Sequence, residues 1–120
     1  MLRIIVLFSF LMASTAGAEP KLLMFEEEGC VWCERWDAEI GPIYPKTTEG
    51  RAAPLQKVNI RASVPDGVTL SRSAVFTPTF VLVVEGQEVG RLEGYVGDEF
   101  FWVLLGDLLH KAGIEPAPSG

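Results

Sequence analysis

The sequence predicts a small α/β sandwich made of a βαβ unit, a β-hairpin and a terminal helix. Three observations carry this prediction. A short apolar run near the N-terminus is followed by apolar residues at helical spacing, the most β-branched segment leads into a glycine-containing turn, and the last long apolar stretch has a helical stripe. With 120 residues, 48% of them hydrophobic, the chain has the size and composition of one domain.

The first half of the chain predicts a strand, a helix and a second strand. Lys21–Glu26 is a short apolar run suited to a buried strand. Pro42 falls inside the helical pattern that follows, so we expect it to kink the helix, because proline removes a backbone donor and crowds the preceding turn. Residues 55–60 alternate and predict the second strand, parallel to the first. The helical pattern consists of Cys33, Trp36, Ile40, Ile43 and Tyr44.

The second half predicts a weak helix, a hairpin and a final helix. Residues 68–75 form a weak helical patch, and Thr79–Val84 is the clearest strand because every residue in it except Leu82 is β-branched or aromatic. A turn then leads to an antiparallel strand at residues 89–95. Asp98 is expected to cap the final helix. The apolar stripe of that helix consists of Phe101, Leu104, Leu105, Leu108 and Leu109.

Residues 1–18 have the pattern of a secretory signal peptide. Arg3 supplies a positive charge, residues 4–12 are apolar apart from one serine, and residues 16–18 offer the small side chains of a cleavage site. Export would place the protein outside the reducing cytosol. An uncleaved membrane anchor is the alternative, but the apolar run is shorter than the roughly 20 residues that span a bilayer.

The folded domain is predicted at residues 19–114. Residues 115–120 are rich in proline and small side chains, follow an expected helix stop at Gly113, and are predicted to be a flexible tail. The formal net charge of −6 makes the protein a poor candidate for binding nucleic acid or an anionic membrane surface. The only membrane association expected is through an uncleaved signal sequence.

Cys30 and Cys33 are the only cysteines of the chain and form its most informative motif. Two thiols at this spacing, between a strand and a helix, can switch between dithiol and disulfide with little backbone movement. The start of a helix offers unpaired N–H groups and a partial positive charge, which favour a thiolate. Cys30, at the exposed edge, is the predicted nucleophile. Cys33 lies one turn further, faces the core, and is the predicted resolving thiol.

Acidic residues surround this pair. Carboxylates close to a thiolate raise its pKa, and a less stabilised thiolate makes the dithiol the better reductant. A zinc site is disfavoured because His110 is the only other strong ligand, and a purely structural disulfide is disfavoured because so short a loop gains little from closure. Neither a metal nor a bound cofactor is expected. The acidic neighbours are Glu26, Glu27, Glu28 and Glu34.

The stretch FEEEGCVWCERW, followed by KVNI, TPTFVL, the hairpin and the last helix, resembles the thioredoxin superfamily over nearly the whole chain after residue 18. The resemblance implies a thioredoxin-like three-layer α/β/α sandwich around a mixed sheet of about four strands. It also implies that Pro78 is cis and packs against the cysteine pair, and that Thr77 offers backbone groups to an extended partner segment. Trp32 lies between the thiols and either packs on a partner or folds onto the protein's own surface.

The segment CVWCERWDAEIGPIYP is similar to small exported thioredoxins of bacterial sulfur-oxidation systems. This resemblance implies a periplasmic thiol–disulfide oxidoreductase that keeps the thiol of a sulfur-carrier protein usable and draws electrons from an upstream donor. An oxidant or isomerase of secreted proteins and a non-catalytic binding module are the alternatives. Met24 stands where related strands usually carry a buried acid beside Lys57, so Glu26, Glu34 or water must accept the proton of the resolving thiol.

Overall fold

The computed structural model describes residues 19–116, in which four strands form one mixed sheet. The strands pair in the order β2-β1-β3-β4. β1 and β2 are parallel, which confirms the βαβ unit, whereas β1–β3 and β3–β4 are antiparallel. The expected signal peptide and residues 117–120 of the expected tail lie outside the described residues. The strands are β1 (Lys21–Glu26), β2 (Leu55–Asn59), β3 (Thr79–Val84) and β4 (Gln87–Glu93).

Among the described residues, three α-helices accompany the sheet: α1 (Val31–Glu39), α2 (Thr48–Ala52) and α3 (Asp98–Lys111). The predicted kink at Pro42 is wrong, because α1 ends at Glu39 before the proline is reached. Proline disfavours a helical conformation at the residue before it, so the chain leaves the helix early. Helix α2 was not predicted, since five residues are too few to show a helical period.

Two predictions for the following region are also wrong. Residues 68–75 form no helix but an irregular segment, in which Thr69 bridges to Gln87. Strand β4 starts earlier than predicted because the turn before it contains only Glu85 and Gly86, with φ angles of 51° and 77°. Positive φ at both positions is what a tight hairpin between twisted strands requires. The predicted α/β class and mixed four-stranded sheet are confirmed.

The N-terminal end of α3 differs from the sequence prediction, and its C-terminal end agrees with it. Gly97, and not Asp98, occupies the N-cap position, and the Asp98 carboxylate accepts the N–H of Glu99 at 2.8 Å. The other end matches the expected stop. Gly113 has a φ of 73° there, and the N–H of Ile114 donates to the carbonyl oxygen of Leu109 at 2.9 Å. This left-handed glycine ends the helix in the usual way.

Side chains of β1 and β3 alternate between two cores, one on each face of the sheet. Helices α1 and α3 pack on the first face, where Trp102 also stacks on Tyr44 with ring centroids 6.1 Å apart. The irregular segment at residues 60–76 covers the second face. Within residues 19–116, no helix combines the length and apolarity needed to cross a bilayer. The buried residues of the second core are Leu23, Phe25, Val58, Val81 and Val83.

Candidate active site

The cysteine pair lies at the start of α1, directly after β1. The chain turns there at Gly29, whose φ of 82° lies in the left-handed region that glycine tolerates best. Cys30 is the N-cap residue, and its Sγ accepts the N–H of Cys33 at 3.1 Å. A disulfide joins the two residues, with their Cα atoms 5.2 Å apart. In the reduced protein the same N–H would stabilise a Cys30 thiolate.

The two sulfurs differ in exposure as the sequence predicts. The Cys33 residue is only 3% exposed and packs in the first core beside Trp36, whereas Cys30 is half-buried at the core's edge. An attacking thiol must be reachable and a resolving thiol must not be, because the second attack occurs inside the protein. The arrangement can therefore support a two-step exchange that begins at Cys30.

An acidic cleft opens on one side of the disulfide. Both cysteines line it, so Glu26 and Glu34, the carboxylates named as proton acceptors from the sequence, do lie next to the pair. Sequence reasoning missed Asp37 in this cleft, although Asp37 follows Cys33 by four residues and such pairs share one helix face. The other lining residues are Glu27, Glu28, Gly29 and Asn59.

Lys57 on β2 balances part of this negative charge. Its Nζ lies 2.7 Å from Asp37 Oδ1 and 3.6 Å from Glu26 Oε2. The hydrogen bond with Asp37 raises the pKa of Lys57, and partial burial opposes that increase. The lysine is therefore cationic at neutral pH, and it holds two carboxylates beside the cleft that contains the resolving sulfur.

A second depression, the Trp32 groove, opens on the other side of α1. Trp32 is 51% exposed, and the guanidinium carbon of Arg35 lies 5.6 Å from its ring centroid, close enough for a cation–π contact. Trp32 thus rests partly on its own protein and keeps half its surface free. Thr77 is brought to the same groove. The complete lining is Trp32, Arg35, Thr77, Gly94, Tyr95 and Val96.

The Thr77–Pro78 peptide bond is cis, and Pro78 is buried. The carbonyl of Pro78 accepts the N–H of Gly94 at 2.7 Å, which ties this peptide to the end of β4. Thr77 itself takes no part in the backbone hydrogen bonds recorded between residues 19 and 116. Its N–H and C=O are the kind of groups that an extended partner segment pairs with.

A hydrogen-bonded chain that the sequence did not reveal supports the wall of the groove. The hydroxyl of Tyr95 donates to Glu39 Oε2 at 2.5 Å, and Arg35 Nε donates to Glu39 Oε1 at 2.6 Å. These two bonds, that of Tyr95 first, lower the pKa of Glu39, while burial and the bond to Glu39 raise the pKa of Tyr95. Tyr95 and Glu39 are 56 positions apart, so local patterns cannot pair them.

His110 lies away from both depressions. It is exposed near the C-terminal end of α3, where Nδ1 lies 3.3 Å from Glu115 Oε1. Between residues 19 and 116, no three His, Cys, Asp or Glu side chains are grouped so that they could hold a metal ion.

No family model and no curated protein matches the chain. Among solved structures, the chain is similar to the periplasmic thioredoxin SoxS from Paracoccus pantotrophus in its reduced form. The two share 55% sequence identity and a TM-score of 0.77, over 78% of this chain and 99% of that one. Identity at this level over nearly all of that protein shows that the chain belongs to the thioredoxin family, as a periplasmic thiol–disulfide oxidoreductase.

Proposed function

We propose that this protein reduces disulfides or mixed disulfides of exported proteins, and that its partner is a sulfur-carrier protein of sulfur oxidation. The difference in exposure between Cys30 and Cys33 carries the first statement. The likeness to SoxS and the segment from residue 30 to residue 45 support the second. Residues 1–18 act in this proposal as the export signal.

The reaction has two exchange steps. The Cys30 thiolate attacks one sulfur of the partner's disulfide, and the other partner sulfur leaves and takes up a proton. The Cys33 thiolate then attacks Cys30 Sγ, which restores the internal disulfide and releases the second partner sulfur. Two electrons and two protons have then passed to the partner, and an upstream dithiol donor must return them.

The charge around Cys30 supports this direction of electron flow. Four glutamates and Asp37 line the cleft, and Lys57 is the cation that approaches two of these carboxylates. Excess negative charge disfavours the thiolate and so favours the disulfide form. The dithiol form is therefore a good reductant.

We expect a reduction potential near that of a reductant, about −270 mV, when the protein is equilibrated with thiol buffers of known potential. Replacing Glu34 with glutamine should make the potential less negative, because it removes one charge from the cleft. Glu115→Gln, at the far end of α3, is the matched control and should leave the potential unchanged. A value near −120 mV would instead assign the protein to the oxidants of secreted proteins.

Partner binding is assigned to the Trp32 groove. An extended segment that pairs with the backbone of Thr77 would lie beside Pro78 and bring its sulfur towards Cys30. Trp32 offers the broad apolar surface that anchors partners in protein interfaces. The groove is apolar and the opposite cleft is acidic, so a bound segment meets different chemistry on the two sides of its cysteine.

We assign to Asp37 the role of the base that accepts the proton of the Cys33 thiol. A buried thiol is a poor nucleophile until a base removes its proton, and Asp37 lies one turn along α1 from that thiol. Lys57 keeps the Asp37 carboxylate in place and next to the cleft. A water molecule in the cleft would connect the carboxylate with the sulfur. Glu26 and Glu34 line the same cleft and are the alternative acceptors.

Replacing Asp37 with asparagine should slow the second step by roughly 10–100-fold at pH 7, because a positioned base is lost. The step is measured as glutathione release from a mixed disulfide on Cys30. The difference should shrink as the pH rises, because a larger fraction of the Cys33 thiol then ionises without a base. Asp107→Asn, which breaks an exposed pair with Lys111, is the control. Equal rates for D37N and the natural protein at pH 7 would move the role to another carboxylate.

A further inference from the structure

A buried ion pair on β4 lies beneath the irregular segment that covers the second face of the sheet. The side chains of Glu88 and Arg91 are 4% and 6% exposed, and their charged atoms lie 2.6 Å apart. Burying both charges costs about as much free energy as their attraction returns, so such a pair is a weak source of stability. Its contacts with the covering segment indicate a second role, which is to hold that segment in place.

The Glu88–Arg91 pair forms hydrogen bonds with backbone groups of the covering segment, which lie outside any helix or strand. Arg91 Nη2 donates to the carbonyl oxygen of Arg72 at 2.7 Å, and Nη1 lies 3.5 Å from that of Ser73. Glu88 Oε1 accepts the N–H of Ser71 at 3.2 Å. Three consecutive residues of the covering segment are thus fixed by two side chains of β4.

These three residues lead directly into the Trp32 groove. Only Ala74, which packs on the second core, and the exposed Val75 and Phe76 separate them from Thr77. The carbonyl of Phe76 accepts the hydroxyl of Thr79 at 2.6 Å, which fixes the far side of the connection. Residues 74–77 are therefore held between two anchor points, of which the Glu88–Arg91 pair is one.

We propose that Arg91, oriented by Glu88, is a positioning residue for the binding of protein partners. It sets where residues 74–77 enter the groove and touches neither cysteine. This inference rests on the proposed role of Thr77 in partner binding. It implies that Arg91 matters for substrates that extend along the groove and is indifferent for small disulfides, which need only Cys30.

Arg91→Lys tests this proposal. Lysine keeps the charge beside Glu88, but a single ammonium cannot reproduce the planar fork that reaches the carboxylate and two carbonyls together. We expect kcat/KM for insulin reduction to fall about tenfold, mainly through KM. Single-turnover reduction of hydroxyethyl disulfide should stay unchanged. Arg51→Lys is the matched control, because exposed Arg51 also donates to a backbone carbonyl, that of Lys46 at 2.9 Å.

Hydrogen exchange gives a second measurement that does not depend on the substrate. In R91K the amide of Ser71, which donates to Glu88, should exchange faster, while those of α1 should not change. Equal losses with insulin and with the small disulfide, or unchanged exchange at Ser71, would overturn the positioning role. If the natural protein reduces the small disulfide but not insulin, the proposed function fails, and exchange still decides whether Arg91 fixes the segment.

Discussion

Replacing Cys30 with serine should abolish disulfide reduction and leave the fold intact. A serine hydroxyl is not ionised at neutral pH and forms no disulfide, so the first exchange step has no nucleophile. Serine is also a favoured N-cap residue, and it can accept the Cys33 N–H that Cys30 Sγ now accepts at 3.1 Å. Insulin reduction by C30S should fall to the uncatalysed rate, with an unchanged far-ultraviolet circular dichroism spectrum.

Cys33→Ser is the matched variant, with the opposite expected behaviour. It keeps the nucleophile but lacks the thiol that releases the partner, so a mixed disulfide should accumulate through Cys30. In a periplasmic extract this variant should capture a protein that mass spectrometry can identify, and C30S should capture none. A sulfur-carrier protein in the trapped complex would support the proposed partner. Capture by C30S through Cys33 would reverse the two assigned roles.

Replacing Trp36 with alanine should destabilise the protein by about 3–5 kcal/mol, the cost of removing a large buried aromatic side chain. Trp36 is 0% exposed, and its ring centroid lies 5.4–5.9 Å from those of three aromatic neighbours, Tyr44, Phe80 and Phe101. No other residue can fill that space without moving the sheet or α3. Urea unfolding of the oxidised protein measures the change.

Trp32→Ala removes the same type of side chain from the surface, two residues after Cys30, and it is the control for this prediction. Trp32 is half exposed, and Arg35 makes its cation–π contact, so the free energy of unfolding should change by no more than about 0.5 kcal/mol. Capture of a protein partner by the doubly substituted C33S/W32A protein should nevertheless weaken. Equal destabilisation by the two tryptophan changes would contradict the core described here.

The sequence was most informative where neighbouring residues alone determine the local structure. Strands β1 and β3 have the predicted bounds, because their continuous apolar runs suit strands buried on both faces. The position of Cys30 at the start of α1 also follows from neighbouring residues alone. The class of the fold and the redox pair could therefore be predicted without knowing any long-range contact.

Predictions failed where distant residues decide the structure. The apolar residues of the covering segment do face the core, as Val68 and Ala74 show, but the segment takes its shape from side chains of β4 that helical spacing cannot reveal. Asp37 gains its role only when Lys57 of β2 lies beside it. Such pairings depend on the packed fold, and local sequence patterns contain no information about them.

The amide of Cys33 already points at the sulfur that must become anionic when the protein is reduced. Its dipole is thus preorganised for the charge that each catalytic cycle creates and removes. Because the donor belongs to the rigid first turn of a helix, cycling between oxidation states demands little rearrangement of the surrounding backbone. Turnover of this protein should accordingly be set by encounter and sulfur chemistry, and no slow conformational step should intervene.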